Sequence, residues 1–328
     1  MTAKDPVRFN INRVFLCLLL FLNSFSIQAA TPLQTHNLNP LTLVYGLPLV
    51  SPARLSPLSS FSASLNVSNT INVEDKTNET LFIDGETSEL NLIYSFPFSS
   101  KTSFRIVMPF IKHQAGSLDG FIDDFHALFG FPEGDRPEHP SDQFLFHYQL
   151  NNNDVIRIDQ PNSGPGDIKI ETAYQLYDLG NQVGSLWSSL KLPTGDSQKL
   201  TGSDRIDVAV WYAAENNYLA DWSYYYNLGL LLTGKSDIIP DRQNTDVYFG
   251  TGGIEWRVAD IVTLNIQLDF HTAFYQSKTR FLGDSVQISS GGHIKVSPQS
   301  RLEIVVVEDI YVGASPDVTF QLGYTLMY

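Results

Sequence analysis

The chain has 328 residues, 43% of them hydrophobic, with 35 acidic against 21 basic side chains and a formal net charge of −14 at pH 7. Such acidity argues against a surface built to neutralise phosphates, so nucleic acid is not an expected partner. A mean hydropathy near zero excludes a bundle of membrane-spanning helices. It leaves either an acidic secreted protein or a membrane barrel, whose polar interior offsets its lipid face.

Lys4, Arg8 and Arg13 precede an apolar run, VFLCLLLFL at 14–22, and polar residues then lead to Ala29 and Ala30. That is the layout of a secretory signal peptide over residues 1–30, too short for a spanning helix of about 20 apolar residues. Cleavage is expected near Ala30. Loss of those three basic residues and of Asp5 takes the charge from −14 to −16 and removes Cys17, the only cysteine. Bulky Leu16 beside it speaks against lipid attachment there. A thiol-free product excludes disulfides and thiolate chemistry and suits passage through an oxidising periplasm.

Residues 31–57 carry prolines at 40, 48, 52 and 57, which would break a strand ladder, yet Leu41, Val44, Tyr45 and Leu47 are too apolar for an exposed linker. This stretch is expected to fold back as a plug at the periplasmic side or in the lumen of the domain that follows, 58–328.

From Leu58 the period is two. Phe61, Ala63, Leu65 and Val67 alternate with polar residues, as do Leu90, Leu92 and Tyr94, and Phe104, Ile106 and Met108. The clearest stretch is 262–274, apolar at nearly every even position and polar at 263, 265, 267, 269 and 271. Short connections (for example 151–153, 179–182, 216–217, 259–260 and 297–300) interleave with longer ones (72–80, 112–142, 193–204, 234–244 and 276–284). Outer-membrane barrels alternate short periplasmic turns with longer outer loops and have an even number of strands. The fold expected is therefore all-β, a transmembrane antiparallel barrel of about fourteen strands, or twelve if the short piece 155–160 does not span. Aromatic residues gathered near segment ends, such as Trp211–Tyr212, Tyr224–Tyr226, Tyr248–Phe249 and Phe274–Tyr275, suit headgroup girdles.

The insertion 112–142 is the longest connection. Within it 120–129 reads as a short helix, with Asp119 as N-cap and Gly130 as the stop. Phe121, Ile122, Phe125, Leu128 and Phe129 give it a broad apolar face, expected to pack on the rim or in the mouth as a lid. Asp119, Asp123 and His126 share a stripe that could hold a divalent cation, or could be a solvated face with acids at a helix start. Their spacing matches no established ligand motif, and no cofactor is implied.

Alternation turns Arg105, Lys169, Glu171, Gln267, Asp269, His271, Gln287, His293, Lys295 and Glu303 towards the interior. Such a set either lines a permeation path or fills a narrow barrel with ion pairs. No serine stands in a G-x-S-x-G elbow, so an enzyme is not expected, a lipid-modifying barrel being the remaining catalytic option.

The closing strand DVTFQLGYTLMY, 317–328, puts Val318, Phe320, Leu322, Tyr324, Leu326 and Tyr328 on one face. Gln321, Gly323, Leu326 and Tyr328 are spaced as in the C-terminal assembly signal of Gram-negative outer-membrane barrels, which this strand resembles. The resemblance implies barrel-assembly machinery and outer-membrane lipid as partners. A terminal strand of a soluble sandwich is the alternative.

NLNPLTLVYGLP (37–48), DGE (84–86), SLDGFIDDFHALFGFPEGDRP (117–137), LKLPTGD with LTGSD (190–204) and VEDIYVGASPDVTF (307–320) together resemble a proteobacterial family, domain of unknown function 3187. That resemblance implies a barrel and supplies no catalytic or ligand residues. The LKLPTGD and LTGSD pieces are also similar to barrels of the phenol meta-pathway type, thought to pass hydrophobic or aromatic compounds. Read by themselves, both pieces are turn formers at a strand end. The function expected is a passive channel for small solutes, hydrophobic ones among them. The alternatives are a filled structural barrel presenting the 112–142 loop to a partner, and a lipid-modifying enzyme.

Overall fold

Val262–His271 shows how the wall is made. Leu264, Ile266, Leu268 and Phe270 point outward and are 42–60% exposed, while Thr263, Asn265, Gln267 and His271 are buried. One face repels water and the other seeks hydrogen bonds, so the strand is stable only between lipid and a polar interior.

The computed structural model describes residues 29–116, 120, 143–219, 221–310 and 313–328. The strands are β1 (Ser60–Lys76), β2 (Glu79–Ser99), β3 (Thr102–Gln114), β4 (Leu145–Leu150), β5 (Asn153–Ile158), β6 (Asn162–Pro165), β7 (Ile168–Asp178), β8 (Gln182–Leu192), β9 (Asp207–Leu219), β10 (Trp222–Leu232), β11 (Asp246–Ala259), β12 (Val262–His271), β13 (Ser285–Ser297), β14 (Ser300–Asp309) and β15 (Val318–Met327).

Twelve of these, β1–β3 and β7–β15, pair antiparallel in a closed ring; β1 meets both β2 and β15, with Ser60 opposite Met327, and β3 joins β2 to β7. Closure satisfies every ladder without leaving an edge, which hydrocarbon requires. The count is therefore twelve and not fourteen. β2 has 21 residues, and its projecting part, Glu79–Asp84, takes β4 as a partner beyond the reach of β3. β5 has six residues and hangs on β4, whereas a tilted spanning strand needs about 9–11. β6 covers Phe110–His113 of β3.

One end of the cylinder holds the start of β1, the end of β15, the link from β9 to β10 and the short turns at 100–101, 179–181, 260–261 and 298–299. We call this the terminus end. The loop end carries the connections 193–206, 233–245, 272–284 and 310–317. The connection at 72–80, expected to be long, is a two-residue turn with Asn78 at φ 67°. Both strands simply continue their alternation past the rest of the wall.

The outward side chains form an apolar band. Trp222 stacks on Trp256 at 5.4 Å near the terminus end, and Tyr212 packs on Tyr226. The aromatic residues expected in girdles divide by parity: Tyr224, Tyr226 and Tyr248 face out, but Trp211, Tyr225, Phe249, Phe274 and Tyr275 are buried inside. Neighbouring positions on a strand take opposite faces, so a cluster of rings cannot all reach the headgroups. The helix expected at 120–129 lies, apart from Gly120, outside the described residues.

Candidate functional site

The interior has two sides. Across β7–β11 its wall carries an apolar patch, built by Ala173, Trp187, Ala209, Trp211, Ala213, Leu231 and Phe249, among the buried charged groups Lys169, Glu171, Lys191, Asp207, Glu215 and Glu255. Trp187 and Trp211 stack with centroids 5.8 Å apart, and Phe249 meets Trp211 edge-on at 6.2 Å. Across β12–β15 and β1–β2 the wall is polar, with Gln267, His271, Ser289, His293, Gln321, Ser64, Ser68 and Glu89 buried.

Residues 29–58 run up one side and down the other as a hairpin without ladder partners. Proline-broken backbone cannot join a sheet, so its polar groups are met by wall side chains. On the rising limb Thr31 N donates to Glu255 Oε2 (2.9 Å), Thr35 Oγ1 to Asp269 Oδ2 (2.9 Å) and Asn39 Nδ2 to the Phe281 carbonyl (2.8 Å). Asn37 Nδ2 lies 2.9 Å from His271 Nε2, and His36 Nε2 lies 3.0 Å from Glu89. The tip turns at 40–45, where Leu41, Val44 and Tyr45 join Phe146, Tyr148, Phe274, Phe281 and Leu282 in one apolar cluster at the loop end.

The descending limb returns along the β7–β11 side. Gly46 N donates to Asp207 Oδ2 (2.9 Å), Ser51 N to Asn227 Oδ1 (2.9 Å), and Lys169 Nζ to the Leu47 carbonyl (3.1 Å). Arg105 reaches Ser51 Oγ at 2.7 Å, pairs with Glu171 and lies 4.7 Å over the Trp187 ring. Trp187 Nε1 donates to the Pro52 carbonyl (3.2 Å), and Arg54 binds Glu215 and Asp178 as the limb leaves. Both limbs therefore enter and leave at the terminus end.

A buried ion cluster ties the limb to the loops. Lys191 Nζ bonds Asp167, Asp207 (3.1 Å) and the Val44 carbonyl (3.1 Å). Asp167 also accepts from Gly195 N at 2.7 Å and Ser203 N at 3.1 Å, so the LPTGD and LTGSD turns fold around one carboxylate. The glycines are required by that closeness: a Cβ on Gly202 would lie 2.4 Å from Asp167 Oδ1. Two carboxylates that share one ammonium, with several backbone groups around them, offset the cost of leaving water.

A family model described as a protein of unknown function (DUF3187) matches residues 12–328. The chain belongs to the DUF3187 family. No curated protein matches it. Among solved structures it is similar to the COG4313 outer membrane channel from Pseudomonas putida F1, at 12% identity and a TM-score of 0.58, covering 84% of this chain and 97% of that one. The KdgM porin in complex with disordered oligogalacturonate aligns at 10% identity and a TM-score of 0.45, covering 82% and 99%. The P. putida toluene transporter TodX aligns at 10% and 0.42, covering 84% and 91%. The first of these shows the fold: an outer-membrane channel-type barrel.

In this DUF3187 barrel, Arg105 and Lys169 meet the descending limb, with Glu171 paired to Arg105, and Gln267, Asp269 and His271 meet the rising one. His293 lies 2.7 Å from Glu303, which also accepts from Gln321 of the closing strand, and Gln287 is buried nearby on β13. Lys295 stands apart, exposed at the terminus-end rim beside a cleft of about 220 Å³ that Thr31, Asp260 and Arg301 also line. Leu326 and Tyr328 face outward, and a Cβ on Gly323 would touch Glu303. The lid residues Phe121, Ile122, Phe125, Leu128 and Phe129 and the metal candidates Asp119, Asp123 and His126 lie outside the described residues. Among the described residues no carboxylates and imidazoles gather to hold a metal ion.

Sequence reasoning passed over Asp167, Lys191, Asp207, Glu215, Glu89 and the Trp187–Trp211 pair. Parity could have found some of them: Trp187 sits between outward Leu186 and Ser188, and Lys191 is in phase with Ser189. Nothing local announces that Asp167 and Asp207 share one lysine.

Proposed function

We propose that this barrel is an outer-membrane channel for small apolar solutes, with residues 31–57 as its closing plug and the Trp187–Trp211 wall as its path. The observation that carries this reading is the filled interior, in which a hairpin with no ladder hydrogen bonds covers the apolar patch around Trp187 and Trp211. With the hairpin seated, the voids beside it hold only about 20 and 30 Å³, room for about a water molecule each, so this is a closed state. Both limbs leave at one end, so the hairpin can withdraw to the terminus side without opening a strand pair. The terminus end is periplasmic in this reading.

An apolar patch favours solutes that lose little on leaving water. Trp187 and Trp211 offer flat faces to a ring, and Arg105 over Trp187 supplies a cation beside them. The Trp211 indole N–H has no hydrogen-bond partner among the described residues, which supports a solute with one acceptor, such as a phenol.

The test uses planar bilayers and fluorescence. Deleting 31–57 should raise conductance; negligible conductance in both forms would overturn the channel. Four tryptophans are present, and Trp222→Phe with Trp256→Phe leaves only the interior pair as reporters. Phenol should then change the emission and galactose should not. The filled lumen also supports a second reading, a static structural barrel. It predicts no response to either solute and no permeation of phenol into liposomes by the full-length protein.

A further inference from the structure

We propose that Glu255 is the docking site of the protein's own new N-terminus: the α-ammonium freed at Thr31 when the leader is removed. The covalent step is hydrolysis of the Ala30–Thr31 peptide bond by an envelope peptidase. Water supplies the oxygen that leaves with Ala30 as a carboxylate and the two protons that turn the Thr31 amide nitrogen into an ammonium. Neither the solute nor the opening of the barrel enters into it.

Glu255 projects inward from β11 and is 3% exposed. Its Oε2 accepts from Thr31 N at 2.9 Å, and Asn265 Nδ2 donates to the Thr31 carbonyl at 3.0 Å, so the residue is gripped on both sides of its Cα. Among the described residues no lysine, arginine or histidine side chain forms an ion pair in contact with the Glu255 carboxylate; its close polar partners are this backbone nitrogen and the Asn265 side chain, with His293, Arg257 and Arg301 acting from farther away. In the uncut chain that nitrogen is a neutral amide with one proton. After cleavage it is a cation with three, at the same place.

A carboxylate held out of water with no countercharge in contact is costly, and an ammonium at hydrogen-bond distance removes much of that cost. The surroundings explain why the cation should arrive on the chain. The cleft of about 220 Å³ outside Thr31 is lined by Lys295 and Arg301 against one acid, Asp260, a balance that disfavours free cations from solvent. A tethered ammonium needs no entry by that route. Maturation would thus fasten the rising limb where Thr35 and Asn37 already bind Asp269 and His271.

The experiment takes full-length protein exported with its leader and extracted from membranes. Intact mass should place the mature start at Thr31. An amine-reactive ester, read by mass spectrometry of the N-terminal peptide, should label the native α-amine at least about tenfold more slowly than in the unfolded chain, because release needs local opening. Glu255→Gln should abolish that protection, and Lys295→Gln at the exposed rim should keep it. A start other than Thr31, or a native amine labelled as fast as the unfolded one, would overturn the proposal even if no variant folds.

Discussion

Tyr45 donates its hydroxyl to that of Tyr275 at 3.0 Å, and Tyr275 donates in turn to the Leu41 carbonyl at 2.9 Å. The pair fastens the tip of the hairpin to the 272–284 loop, with the Tyr45 ring stacked on Phe274 at 4.9 Å. It joins a segment that precedes the barrel to a loop 230 residues later, at the far end from both termini.

Burial is the main force that pushes both phenols above the ordinary tyrosine value of 10.0. A group whose folded pKa is raised contributes stability that is complete below its unfolded pKa and lost as pH rises through the folded one. The tip should therefore hold from neutral pH to about 10 and loosen only above it. Phenolate absorbance should show these two tyrosines titrating late, and conductance should rise in the same alkaline range. Opening of the barrel near neutral pH in step with phenolate formation would contradict this.

Lys191→Met should be severe. Asp167 and Asp207, with side chains 4% and 0% exposed, would face each other without their shared cation. Breaking such a buried set costs about 3–5 kcal/mol. Lower thermal stability and faster proteolysis within 31–57 are the expected outcomes; a variant that melts and cleaves like the parent would show that the cluster holds nothing in place.

Two glycines separate crowding from open surface. A Cβ on Gly195 would lie 2.5 Å from the Thr201 carbonyl oxygen, and backbone cannot step aside as a flexible side chain can. Gly195→Ala should cost about 1–3 kcal/mol by overpacking. Gly252 has nothing within 4 Å of the same position, so Gly252→Ala should leave denaturant midpoints unchanged.

The lipid-facing wall can be tested at Ile266, which is 60% exposed. Ile266→Arg should destabilise the protein in vesicles by about 2–4 kcal/mol if it sits near the bilayer midplane. A urea titration in lipid vesicles measures this. No change would mean that this face meets water.

Parts of the fold were readable because alternation is local. Leu264, Ile266, Leu268 and Phe270 declare an apolar face without knowledge of any partner, and the short turns at 179–181 and 260–261 declare antiparallel neighbours. The strand count was open because β5 is apolar enough to resemble a spanning strand. Only the pairing of β4 with the projecting part of β2 takes that hairpin out of the ring. The rings at 211, 249, 274 and 275 were assigned to the headgroups by their nearness to segment ends, whereas the phase of their strands and the fold of their loop turn them inside.

The apolar exterior and the sheet class follow from the sequence alone, since a side chain's face is set by its immediate neighbours along a strand. What occupies the cylinder was decided by the tertiary structure. Thr35 meets Asp269, His36 meets Glu89 and Lys191 joins Asp167 to Asp207 only after the ring has closed. A hydrogen-bond partner for a buried polar group is chosen by distance in space, and period-two alternation carries no record of that distance.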